Sequence, residues 1–156
     1  MPLLSERLKE IEGKRLIKGT GKDVDHYCVM QMVAYVAGEE VTDHPDCACQ
    51  TLTRYAVRLN DRLGDDDRQL LAPLIPKLVG TRGDYKLRVK RARFMAWRVI
   101  TVTMPILCDL VGLTADAEWL RAVPLTTEGF REAETYLRGK RAAIREAARK
   151  SADAAA

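Results

Sequence analysis

No stretch of this chain alternates apolar and polar residues with period two over a useful length, whereas apolar residues recur at helical spacing along most of it. A half-buried strand requires the first pattern and an amphipathic helix the second, so the sequence points to an all-α fold. Aromatic residues make up 6% of the chain while Leu, Ala and Val abound, which suits aliphatic helix packing better than a β-sandwich.

Leu4, Leu8 and Ile11 mark a short first helix that ends at Gly13, and residues 14–24 read as loop. A second helix is expected to start at Asp23 or Asp25, to carry Cys28, Met32, Tyr35 and Val36 on its apolar face, and to stop at Gly38. The acidic loop Glu39 to Asp46 follows. Asp46 is the expected cap of a third helix, whose stripe is Leu52, Tyr55, Ala56, Leu59 and Leu63. Asp65, Asp66 and Asp67 favour a helix start through the macrodipole, and Pro73 and Pro76 cut the segment behind them into short turns. Beyond the loop Gly80 to Gly83, the longest helical pattern runs from Tyr85 to Val111, with Pro105 expected to kink or divide it. Thr114 caps a short helix, and Thr126 or Thr127 opens a polar terminal helix to about Lys150.

The expected architecture is a compact bundle of about five to seven helices. A helical domain covers 1–125, and an amphipathic C-terminal helix and tail, 126–156, dock on it. The 84–111 helix is expected to pack across the domain through Leu87, Phe94, Trp97 and Ile100.

No segment reaches the run of about 18 apolar residues that a membrane span requires. The first residues lack the basic and apolar regions of a signal peptide. The four cysteines therefore read as reduced thiols in a cytoplasmic protein rather than as a disulfide framework.

Two of those cysteines and one of the two histidines crowd into Thr42-Asp43-His44-Pro45-Asp46-Cys47-Ala48-Cys49. Structural zinc takes four Cys or His ligands, and His44, Cys47 and Cys49 offer three, with Cys28 on the preceding helix as the fourth. The C-x-C spacing is less diagnostic than paired C-x-x-C units, of which there are none. The plainer alternative makes the cysteines small buried hydrophobes. A thiol–base pair of Cys47 with His44, oriented by Asp43, is disfavoured because neighbours three apart rarely present that geometry. No catalytic residue is assigned.

Val33-Ala34-Tyr35-Val36-Ala37-Gly38-Glu39, then Asp43-His44-Pro45 with Cys47 and Cys49, then Leu59-Asn60-Asp61 and Leu78-Val79-Gly80-Thr81-Arg82-Gly83 form a pattern over about residues 25 to 123. It resembles a group of small helical proteins of bacteria and phages. The resemblance implies a compact domain and brings no reaction or cofactor. This chain departs from the group at Gln31, where Glu is usual, and at Gln50, where Pro is usual.

Charge is segregated. Residues Asp25 to Arg68 hold nine acids and four bases, whereas Gln69 to Pro105 hold eight bases and one acid. Lys86, Arg88, Lys90, Arg91 and Arg93 crowd one helix and are the candidate partner-binding residues. Such a stripe can neutralise phosphates, with Tyr85 and Trp97 stacking on bases, although it can equally be a solvated face or pair with the acidic region. The loop Gly80 to Gly83 lacks the frame of a phosphate loop, and the aspartates lack that of a calcium loop. The function favoured is a small intracellular, non-enzymatic binding or regulatory protein acting on a macromolecular partner, a protein first and nucleic acid second. No membrane association is expected, and self-association is compatible with the segregated charge. A metal-binding protein with zinc at the 43–49 loop is the alternative.

Overall fold

The computed structural model describes residues 2–154, and among them every regular element is helical. The last two residues of the expected tail lie outside the described residues. In chain order the elements are α1 (Pro2–Glu10), a 3-10 turn (Val24–His26), α2 (Val29–Ala37), α3 (Gln50–Arg62), α4 (Asp65–Arg68), a 3-10 helix (Gln69–Leu74) and α5 (Ile75–Leu78). Then come α6 (Tyr85–Arg98), a π-helical stretch (Val99–Thr103), α7 (Met104–Leu110), α8 (Thr114–Arg121) and α9 (Thr127–Ala154). The all-α expectation is met. The chain divides into two compact units, Met1–Val89 and Lys90–Ala156.

The first unit is organised around α2, which is apolar on nearly every side and packs against α1, α3 and α5. An all-round apolar helix belongs inside, and Val29, Met30, Met32, Val33 and Val36 are all at most 1% exposed. α2 begins later than expected. Asp23 spends its side chain on Asp25 N in the 3-10 turn, and the true cap is Cys28, whose Sγ accepts from Gln31 N at 3.5 Å. The Gln31 side chain returns to Cys28 N, closing a reciprocal capping box.

Buried amide side chains hold the loop before α2. Gln31 accepts from Gly21 N and donates to Gly21 O, both at 2.9 Å. A side chain at Gly21 would overlap the His26 carbonyl. Asn60 is fully buried; its Oδ1 accepts from Val29 N and its Nδ2 donates to Ile17 O. Gln69 exchanges two hydrogen bonds with the backbone of Leu16. Arg68 donates from Nε to Asn60 O and from Nη2 to Leu63 O.

The second unit has a smaller interior. Cys108, Ala117 and Leu120 are buried, with Ile100, Met104, Leu113, Trp119 and Leu137 packed around them. Trp119 stacks on Tyr136 with ring centroids 3.9 Å apart. Tyr136 donates to Asp116 at 2.6 Å and Lys140 pairs with the same carboxylate at 3.0 Å. Pro105 divides the long helical pattern, as expected: it has no N–H to bond the turn before it, and the chain widens there into the π-helical stretch.

The expected packing face of the 84–111 segment is corrected. No residue of α6 is buried, and Leu87 and Phe94 are exposed. Cations occupy so many positions of α6 that no uninterrupted apolar stripe remains. Trp97 instead donates its indole N–H to Val123 O at 2.8 Å, and Ile100 joins the α7–α8 cluster.

Candidate functional site

The four predicted ligands take separate places within the first unit. Cys28 is buried at the start of α2, where burial raises its thiol pKa. Cys49 is the buried N-cap residue of α3, and its N–H donates to Thr81 Oγ1 at 3.1 Å. Cys47 is half-buried; burial first, and then the neighbouring Glu39 carboxylate, push its thiol above the ordinary range despite a backbone hydrogen bond from Gly80. His44 is exposed and pairs through Nδ1 with Asp43 at 2.7 Å. Among the described residues, no three His, Cys, Asp or Glu side chains are placed to hold one metal ion. Of the loop's thiols, that of Cys49 is buried and that of Cys47 half-buried.

What the loop does build is a pocket. Asp46, the expected cap of α3, pairs with Arg82 at 2.8 Å instead, and the helix starts at Gln50. Arg82 also donates from Nη1 to Asp46 O, and its backbone N–H donates to Cys47 O at 2.8 Å. Thr81 Oγ1 donates to Leu78 O at 2.7 Å while accepting from Cys49 N. Gly80, at φ +71°, makes the left-handed turn that brings this second loop alongside the first. Arg88 Nη1 closes one side by donating to Gln50 Oε1 at 2.6 Å.

The resulting cavity of about 240 Å³ is lined by His44, Asp46, Thr53, Arg54, Arg82 and Arg88, among others, so three guanidinium groups face one carboxylate. It opens at the N-terminal end of α3, a helix of 13 residues whose start carries no side-chain cap and no acid in its first turn. Such an end has unsatisfied amides and the positive pole of the helix dipole, which together attract anions. Thr53 adds an independent sign. It is 2% exposed, and its hydroxyl oxygen has no hydrogen-bond partner. A buried, unmet hydroxyl costs free energy and is uncommon in folded proteins.

The predicted basic residues are distributed differently. Lys86 and Lys90 are exposed, and Arg91 is half-buried. Arg88 belongs to the pocket. Arg93 donates to Thr127 Oγ1 at 3.0 Å and lies over the Phe130 ring in the second unit. Sequence reasoning missed Thr53 and Arg54 and set aside the Gly80–Gly83 loop. The signal available was the contrast between the acid-free, uncapped start of α3 and the triple aspartate at the start of α4.

No protein-family model matches the chain, and no match emerges among curated proteins or among solved structures. No helix among the described residues is long and apolar enough to cross a membrane.

Proposed function

We propose that this is a small non-enzymatic binding protein whose first unit grips an anionic group carried by a macromolecular partner. The observation that supports this reading most directly is the buried, unpartnered Thr53 hydroxyl in an arginine-lined pocket at an uncapped helix start. A tetrahedral oxyanion would meet the first-turn amides, the hydroxyl and the guanidinium groups at once. Arg82 and Arg88 are held near the opening by Asp46 and Gln50, surface partners weak enough to yield to a charged ligand. The raised thiol pKa of Cys47 at this half-buried position favours binding over thiol catalysis at this loop.

Thr53→Val tests this reading. Removing an unmet buried hydroxyl should stabilise the ligand-free protein, by about 1 kcal/mol, and weaken binding of inorganic phosphate. Thermal unfolding of the full chain, with and without phosphate at matched ionic strength, reads both effects. Failure of phosphate to raise the midpoint of the unsubstituted protein overturns the proposal.

A further inference from the structure

We infer that the anion is the phosphate of a nucleotide and that Tyr85 is the platform for its base, an inference that rests on the anion reading above. Tyr85 opens α6, is 70% exposed, and lies in the same unit as the pocket. Arg88 joins the two features. Its guanidinium sits 5.2 Å from the centroid of the Tyr85 ring while its Nη1 bonds Gln50 in the pocket wall. An anion in the pocket would therefore meet the same arginine that covers one face of Tyr85, with the other face left for a flat group. That juxtaposition of a phosphate-seeking cavity and an open aromatic face is the arrangement by which proteins take up unpaired nucleotides.

The segment's own residues restrict the ligand further. Asp84 accepts from Leu87 N at 2.8 Å, which fixes the first turn of α6 and with it the position of Tyr85. Lys86, exposed on that turn, adds positive charge beside the platform. Tyr85 offers a ring face, so the contact tolerates any base. Trp97, the other aromatic residue predicted to stack, is committed to Val123 O and to Phe94, with ring centroids 5.8 Å apart. The same nucleoside phosphate reaches the site either as a free mononucleotide or as a unit of single-stranded nucleic acid.

Calorimetric titration of the full chain with inorganic phosphate, adenosine monophosphate and a short oligothymidylate tests the inference. The monophosphate should bind about ten-fold more tightly than inorganic phosphate. Tyr85→Ala should abolish that advantage without changing the affinity for phosphate, Tyr85→Phe should keep it, and Arg82→Ala should weaken all three ligands. Tyr85 is largely exposed and the Arg82–Asp46 pair lies at the surface, so unchanged circular dichroism is expected for these variants. Tighter binding of the oligonucleotide than of the monophosphate identifies single strands as the source, and equal affinity identifies the free nucleotide. If phosphate binds but the nucleoside adds nothing and Tyr85→Ala is silent, the nucleotide inference fails while the anion site stands. If neither phosphate nor monophosphate binds, both fail.

Discussion

In the unit Met1–Val89 irregular backbone is held from within by buried side-chain amides, whereas in Lys90–Ala156 the helices satisfy their own backbone and enclose only a thin apolar interior. Buried Gln31 and Asn60, joined by half-buried Gln69, each bond main-chain groups of the loop 14–24 or the start of α2. In the second unit the ion pairs Arg138–Glu134 and Arg149–Glu146 lie at the surface, where each adds little. Loops that shape a pocket carry polar groups that helices would otherwise pair, so they require internal partners. The price of that arrangement is sensitivity to single polar substitutions.

Leu120→Ala should have the largest effect. Leu120 is fully buried in a cluster with few members, and its truncation should cost about 3–5 kcal/mol. Hydrogen exchange should then show lost protection in α7 and α8 with α2 still protected. Simultaneous loss in both units would erase the proposed contrast. Asn60→Ala should cost somewhat less, about 2–3 kcal/mol, because it orphans Val29 N–H and Ile17 C=O. Denaturant unfolding measures the loss, and exchange should quicken in 14–24 first. A neutral outcome would mean that the buried amides are dispensable.

The smallest expected effect is acid sensitivity in the second unit. The Tyr136 hydroxyl first, and Lys140 next, hold the Asp116 carboxyl below the usual carboxylate range. A depressed folded-state pKa contributes stability that is complete above the unfolded value and is lost as pH falls through the folded one. The unfolding midpoint should therefore drop below about pH 4, and Asp116→Asn should flatten that decline. An unchanged acid limb in the variant would show that other carboxylates govern it.

The helical class was readable because hydrophobic period survives without knowledge of partners, and Pro73, Pro76 and Pro105 act locally. Cap positions were less legible. Asp23 and Asp46 are good caps by type, but Asp23 caps the 3-10 turn before α2 and Asp46 pairs with Arg82, so Cys28 and Cys49 became the N-cap residues of α2 and α3. The loop 43–49 drew attention through its sulfurs, whereas what the structure shows there is a pocket lined by His44, Asp46 and Cys49. Its pocket depends on Arg82 and Arg88, which are far from it in sequence and arrive only through the Gly80 turn. The burial of Asn60 was invisible for a similar reason: Ile17 reaches it from a loop with no periodic signal, and Val29 through the backbone of the first turn of α2.

The widened turn at Val99–Thr103 gives chain length a rotational meaning. An α-helical residue advances the chain by about 100°, and a π-bulge accommodates one extra residue without lengthening the helix much. Deleting one residue there should let an ordinary helix run through while Cys108 keeps its place among Ala117 and Leu120. Straightening the stretch without a deletion should instead carry Leu107 to that place and turn Cys108 out of it. Homologous chains one residue shorter in this segment should therefore keep their buried apolar residue at the aligned position, so that the gap stands alone in an alignment.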